Sequence, residues 1–332
     1  MKKQCILHDL RCSQMIYRER GRMMKQRILG RTGLNVPVLS FGASSLGSVF
    51  RNIDPNEGIR TVHAALDAGM NYIDVSPYYG LTKAETVLGH AIRTVPRQSY
   101  TLSTKVGRYG EHEFDFSRKR IQESVQQSLT RLHTDYIDML FLHDIEFVPA
   151  DIIIEEAFPT LLDLKEQGVI RFAGICGLPL TLFEKVLPQI EADAIISYCH
   201  YTLNDTSLLS LLPLLEKNNV GLVNASPLAM GLLSTRGAPA WHPATKRVKQ
   251  VCLEAAQFCA EQGSNIAKLA VQYATANEQI PTTLVSSASV ENIRNNADWL
   301  DEELDQELLS AVLRILAPIH NETWPSGLSE YN

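Results

Sequence analysis

Residues Asn71 to Gly80 read NYIDVSPYYG: a short apolar piece, Tyr72-Ile73, ends in an acid, Asp74, and is followed by Val75-Ser76-Pro77, two phenols and a glycine. Pro77 and Gly80 stop a strand and open a loop, so Asp74, Tyr78 and Tyr79 are delivered at or just past a strand's end. Two downstream runs repeat the arrangement: YTLSTK ends on Lys105, and YIDMLFLH ends on His143. An acid, a phenol, a lysine and a histidine at the ends of successive strands describe the catalytic face of a barrel enzyme.

Outward from this stretch, apolar strands alternate with helix-period segments. Strands are expected near Val38 to Phe41, Tyr72 to Asp74, Tyr100 to Thr104, Ile137 to Leu142, Ile170 to Ile175, Ala194 to Ser197, Gly221 to Asn224 and Thr283 to Ser286. The helical pieces between them include Asn56 to Ala68, Lys83 to Arg93, Arg118 to Leu132, Ile152 to Gln167, Thr181 to Ile190, Ser207 to Lys217 and Val290 to Leu300. Gly69 and Gly168 stand where helices end on glycine. Strands apolar on both faces belong to a parallel sheet covered by helices. Eight strand–helix units predict an α/β protein, a (β/α)₈ TIM barrel. A small hairpin with Thr32-Gly33 at its turn precedes it, and an extra C-terminal helix and loop follow. A doubly wound sheet is the competing topology. Against it, GASSLG (Gly42 to Gly47) lacks the GxGxxG spacing of a dinucleotide turn.

The chain has 332 residues, 45% apolar and 20% charged, with a net charge of −6. That composition is an ordinary globular one, and without a long basic cluster it argues against nucleic acid or anionic membrane as partner. No apolar run reaches the roughly 18 residues that a spanning helix requires. The six cysteines form no CxxC and no zinc-finger spacing, which fits a reduced, cytoplasmic setting. Residues 1–24 are basic and lack a secretory apolar core; they are expected to be a disordered extension, with 25–332 forming a single barrel domain.

Asp74, Tyr79, Lys105 and His143 together make a proton-transfer device. An isolated phenol titrates near pH 10 and is a poor base at neutral pH. A lysine ammonium at ~4 Å in an effective dielectric of ~20 favours the phenolate by about 4 kcal/mol before desolvation subtracts. Asp74 would hold the lysine charged, and His143 could orient a substrate oxygen. The set contains no metal and no nucleophile, and it suits proton exchange with an alcohol or carbonyl while a hydride leaves or arrives. A metal-dependent sugar isomerase built on His143, Asp144, Glu146 and His200 would need several carboxylates from separate strands.

GLNVPVLSFGASSLG, IDVSPYYG, LSTKVG, RLHTDYIDMLFLHDIE and NASPLAMGLL together resemble the aldo-keto reductases, over about Lys25 to Gly327. SSLGSVF, FDFS, HDIEF, SYCHYTLND, WHPA and TWPSG are most similar to the aldose 1-dehydrogenase branch, to which the plant-type L-galactose dehydrogenases belong. The resemblance implies a TIM barrel and a nicotinamide dinucleotide, with Tyr79 as general acid–base beside Asp74, Lys105 and His143. It places Ser197, Ser226, Leu228, Ser286, Asn292 and Asn296 on the cofactor. Three positions depart from the family pattern: Cys176-Gly177 replaces the Ser-Asn pair that holds the carboxamide, Ser197 replaces a Gln, and Ala225 replaces the stacking aromatic. Ser286 and Asn292 occupy positions where NADP-using relatives carry basic residues, so NAD is expected, with Arg294 facing elsewhere. A polar sugar would meet Ser44, Tyr78, Asp144 and His200, with Trp324 as an apolar wall. The implied reaction oxidises an aldose at C1, with L-galactose first and L-fucose or D-arabinose as alternatives, in a monomer or weak homo-oligomer. A general carbonyl reductase and a non-catalytic, cofactor-binding regulatory subunit are the competing roles. Cys176 reads either as a redox-sensitive thiol or as a small residue filling a strand end.

Overall fold

The computed structural model describes residues 23–332. The expected extension lies outside the described residues except for Met23, which is exposed, and Met24, which is buried in the apolar cluster that holds Val38.

A two-stranded antiparallel hairpin, β1 (Gln26–Ile28) and β2 (Asn35–Pro37), comes first. The barrel strands are β3 (Leu39–Gly42), β4 (Tyr72–Asp74), β5 (Thr101–Val106), β6 (Ile137–Leu142), β7 (Ile170–Gly177), β8 (Ala194–Tyr198), β9 (Gly221–Ala225) and β10 (Thr282–Ser286). They close in chain order, with β10 beside β3, and every neighbouring pair is parallel. The expected TIM barrel is therefore what forms, and the doubly wound alternative is excluded.

Alternation along each strand divides the core. Tyr72, Met139, Phe141, Cys176, Ile196, Val223 and Leu284 fill the barrel interior. Their chain neighbours, such as Ile73, Leu140, Ile175, Ile195 and Leu222, pack outward under the helices. The hairpin plugs the lower end: Leu29 is fully buried in the interior cluster. Its turn approaches β9 so closely that a Cβ on Gly30 (φ +47°) would stand 2.4 Å from the Gly221 nitrogen.

Helix boundaries fall close to expectation where no proline lies beyond the first position, as in Pro55–Asp67, Lys83–Ile92 and Arg118–Leu132. Three expected helices are interrupted, each near a proline. The segment expected from Ile152 contains a π-turn, Ile153–Ala157, before the helix Phe158–Glu166, whose second residue is Pro159. Leu187–Gln189 ends the next helix as a 3₁₀ turn around Pro188, and Ser207–Leu211 is 3₁₀ before the helix Leu212–Lys217 with Pro213. Proline lacks the N–H that would complete the i→i−4 ladder, so the preceding turn tightens or widens. After β10 come the helices Val290–Asp298 and Gln306–Leu316, then a C-terminal segment that returns across the upper barrel end. Among the described residues no helix is long and apolar enough to cross a membrane.

Candidate active site

Asp74 ends β4, Lys105 lies one residue before the end of β5, and His143 follows β6 directly. Each continues the inward-facing set one step above Tyr72, Ser103 and Phe141, so strand parity aims all three into the upper mouth. Tyr79 comes from the loop after β4. That loop is fixed by two glycines in backbone contact: a Cβ on Gly80 (φ +63°) would lie 2.0 Å from the Gly47 oxygen, and one on Gly47 2.5 Å from the Tyr79 oxygen. Any side chain at either position would push Tyr79 off its place.

The ammonium of Lys105, fully buried, donates to Asp74 Oδ2, to the Val75 carbonyl at 3.0 Å and to Tyr79 Oη at 3.2 Å. Its three hydrogens are thereby used. Tyr79 accepts from the lysine, so its own hydrogen is free to point into the mouth. Ser103 Oγ bridges Asp74 Oδ1 (2.7 Å) and Tyr72 Oη (3.1 Å). With a single hydrogen, it gives that to the carboxylate and takes one from Tyr72. Burial opposes the lysine's charge, but Asp74 and Tyr79 more than offset it and its pKa rises. Burial also raises the Tyr79 pKa; Lys105 pulls it down and Asp74 pushes it back up. Burial outweighs the pull of Lys105, and Asp74 adds to burial, so the resting form is the neutral phenol rather than the phenolate that the lysine alone would favour.

His143 stands edge-on to Tyr79 and Tyr78, with ring centroids 5.6 and 5.9 Å away. Its Nδ1 lies 3.0 Å from Ser76 Oγ. Burial, together with Lys105 and Arg108, pushes its pKa down to about 3 against the opposing pull of Asp144, so the ring is neutral. Beside it Arg108 binds Asp144 at 2.5 Å, donates to Tyr78 Oη at 3.0 Å and lies flat on the Tyr78 ring at 3.9 Å. Tyr78 and Asp144, expected for the sugar, are thus brought to the tetrad. Arg108, Ser103 and Ser76 were missed in the sequence, where nothing in LSTKVGR sets Arg108 apart from an ordinary surface arginine. Among the described residues one group has spacing suited to a metal: His143, Asp144 and Cys176. Asp144 is already paired with Arg108, and burial holds the Cys176 thiol protonated, so this group serves the reaction pocket better than an ion. The same burial makes Cys176 a strand-end filler rather than a redox-sensitive thiol.

The other half of the mouth, above β9, β10 and β3, is an open groove of about 480 Å³. Ser226, Leu228, Ser286, Asn292 and Asn296 line it, as expected of cofactor residues. Ser44, expected at the sugar, lines this groove too, with its hydroxyl 2.9 Å from Ser286 Oγ. Ser197 does not join them. It is fully buried on the face it shares with Ile195, and its Oγ has no partner among the described residues.

Between the halves stand β7 and β8. Tyr198 faces inward in register with Ala225, and its hydroxyl lies 3.4 Å from Glu146 Oε1. Glu146 is fully buried, holds Ser326 Oγ at 2.8 Å and the Leu178 N–H at 3.3 Å, and leaves Oε2 without a partner among the described residues. Burial first and then Asp144 push its carboxyl up to about 8. The C-terminal segment crosses here: the Asn321 N–H bonds Asn204 O at 2.9 Å and the Leu328 N–H bonds Glu146 O at 2.8 Å. Trp324 is buried edge-on against His242, centroids 4.8 Å apart, beside Leu203 and Leu232. His200 is buried as well, with Nδ1 bonded to Ser207 (2.9 Å) and Asp205 (3.2 Å) and Nε2 unpartnered among the described residues. Both are tied into the wall that supports the mouth.

The chain is 46% identical over 313 residues to an L-galactose dehydrogenase of Arabidopsis thaliana, covering 92% of this chain and 98% of that one. It is 34% identical over 290 residues to a D-arabinose 1-dehydrogenase of Saccharomyces cerevisiae, covering 80% and 85%. An aldo-keto reductase of Bacillus halodurans, solved in its holo form, superposes with a TM-score of 0.74 at 26% identity, covering 93% and 99%. The sequence profile of the Aldo/keto reductase family matches residues 38–317, and the chain belongs to that oxidoreductase family.

Proposed function

We propose that this protein is an NAD-dependent aldose 1-dehydrogenase that oxidises a cyclic aldose at C1 to its lactone, with L-galactose as the first substrate. The observation that carries the reading is the buried Asp74–Lys105–Tyr79 relay with a neutral His143, set beside a groove fit for a dinucleotide. Likeness to the Arabidopsis and yeast sugar dehydrogenases supports the substrate class. L-Fucose and D-arabinose remain in the same class.

A nicotinamide dinucleotide, when bound, would supply the hydride acceptor that oxidation at C1 requires. The protein's residues manage the proton. Tyr79, once deprotonated, takes the C1 hydroxyl hydrogen, and the adjoining Lys105 charge stabilises the phenolate in that state. His143 meets the same oxygen as it becomes a carbonyl. Tyr78 and the Arg108–Asp144 pair offer donors and an acceptor to the sugar hydroxyls. Ser44, Ser226, Leu228, Ser286, Asn292 and Asn296 would hold the dinucleotide. Tyr198, next to Ala225, would supply the flat face against the nicotinamide that Ala225 lacks. The protein acts in this reading as a monomer or weak homo-oligomer in the cytoplasm, without a nucleic-acid or membrane partner. A panel of aldoses with NAD, followed by NADH absorbance with the product identified as lactone, tests it. Oxidation of no aldose, with rapid reduction of a simple aldehyde, would replace it with a general carbonyl reductase.

A further inference from the structure

Ser76 is buried in the loop that carries Tyr79, and none of the roles above uses its hydroxyl. Its Oγ accepts the backbone N–H of Tyr78 at 3.1 Å and lies 3.0 Å from His143 Nδ1. A serine hydroxyl has one hydrogen to give. If the ring donated from Nδ1, Ser76 would accept twice and bury that hydrogen unpaired. If Nδ1 accepts, every polar atom of the contact is satisfied, which is the arrangement buried groups adopt.

We infer that Ser76 is a positioning residue that fixes His143 as the Nε2–H tautomer, so that the ring donates a hydrogen bond to the reacting oxygen at Tyr79. Nε2 has no hydrogen-bond partner among the described residues and is open to this task. Asp144 Oδ2 is its nearest carboxylate at 3.7 Å, beyond hydrogen-bond range, and is engaged by Arg108. Burial and the facing Lys105 and Arg108 keep the ring neutral despite Asp144, and for a neutral imidazole the tautomer alone decides whether it donates or accepts. His143 then donates to the oxygen while Tyr79 takes its hydrogen, and both hold that oxygen as donors once it is a carbonyl. The catalytic consequence rests on the oxidoreductase reading; the tautomer itself does not.

The experiment is long-range ¹H–¹⁵N NMR on ¹⁵N-histidine-labelled full-length enzyme near pH 7.5, without substrate, with His143 assigned by its loss in His143→Gln. The expected spectrum shows a protonated Nε2 and a bare, hydrogen-bonded Nδ1. Ser76→Ala should shift the pair toward a tautomer mixture, and Ser76→Thr should restore it. With whatever substrate the enzyme oxidises, Ser76→Ala should lower kcat on the order of 10- to 100-fold, with NAD affinity within about twofold. A wild-type ring protonated on Nδ1, or a Ser76→Ala spectrum identical to wild type, would overturn the inference. Should Ser76→Ala fail to fold, the wild-type tautomer still decides. Failure of every aldose as substrate would leave that result untouched.

Discussion

The two halves of the barrel mouth are built differently. Above β4, β5 and β6, nearly every polar atom is committed within the protein: Lys105 has three acceptors, Ser103 bridges Asp74 and Tyr72, and Arg108 locks Asp144 and Tyr78. Above β9, β10 and β3, the groove is open, and serines and asparagines bond mostly to each other, as Ser44 and Ser45 do to Ser286. The first half is preorganised for a reaction whose charges must be stabilised without reorganisation. The second half, in the proposed reading, would hold a long dinucleotide through many small contacts. A change in the first half should strike turnover, and a change in the second should strike affinity and selectivity by smaller factors.

The largest effect is expected from Tyr79→Phe. Loss of the phenol should cut kcat on the order of 10²- to 10⁴-fold with NAD affinity within a few-fold, by single-turnover kinetics and cofactor fluorescence titration. Near-wild-type turnover would break the division between the halves. Lys105→Met comes next. It removes the charge that favours the phenolate, and it leaves Asp74 buried without its cation, which costs about 3–5 kcal/mol of stability by thermal unfolding. Because burial raises the Tyr79 pKa, oxidation, which needs the phenolate, should accelerate with rising pH through the alkaline range. The lysine variant should need higher pH still.

How far each half could be read from the sequence follows from the same contrast. Asp74, Lys105 and His143 stand at strand ends, where a period of two and a stop signal fix both depth and direction, so their convergence could be derived from IDVSPYYG, LSTK and LFLH, with Tyr79 delivered by the loop just past the first. The groove residues come from different elements, Ser44 and Ser226 from the turns after β3 and β9, Ser286 from the end of β10 and Asn292 and Asn296 from the helix that follows it, so no single period places them. Ser44 accordingly lies in the groove with Ser286, and Ser197, on the outward face of β8, turns away under the helices. Arg108 and Ser76 escaped notice, and Glu146 was read only as a candidate metal ligand, because their importance comes from partners far apart in the chain. The proline-disturbed helices failed locally: apolar period was visible, but the missing N–H of Pro159, Pro188 and Pro213 overrode it.

Glu146, on the wall between the halves, should show a smaller effect with a definite sign. Its folded pKa, about 8, lies above its ordinary value of about 4.5. Between those values the folded protein holds a proton that the unfolded chain has released, so unfolding becomes easier as pH rises across that window. The contribution is fully present below about pH 4.5 and gone above about 8. The facing groups are Asp144, whose charge raises the Glu146 pKa, and Tyr198 and Cys176, both neutral here because burial raises their own pKa values. Glu146→Gln keeps the contacts to Ser326 and Tyr198 but cannot titrate. The Tm difference between wild type and variant should therefore change by about a few degrees from pH 5 to pH 9, with wild type losing ground. A constant difference would mean that Glu146 is ionised throughout.

The smallest effect belongs to the open half. Asn292 is exposed at the first turn of the helix Val290–Asp298, its amide 3.3 Å from Ser287 Oγ, and it lines the groove together with Ser286 and Asn296. A 2′-hydroxyl is content with such partners, whereas a 2′-phosphate wants a cation. Two arginines line the groove, and one of them, Arg51, is already bonded to Glu57 at 2.6 Å and to the Ala288 carbonyl at 3.2 Å. Arg294 is not among the groove residues. Wild-type enzyme should therefore show a higher kcat/KM with NAD than with NADP, and the reverse would overturn the cofactor proposed here. Asn292→Arg adds a charge at an exposed rim, where an ion pair contributes up to about 1 kcal/mol. It should raise kcat/KM for NADP by no more than about fivefold, through KM rather than kcat. The increase should fade in high salt, because the charge is open to water. A change in kcat instead would mean that the adenosine end of the groove reaches the committed network around Tyr79, and that the two halves of the mouth are coupled.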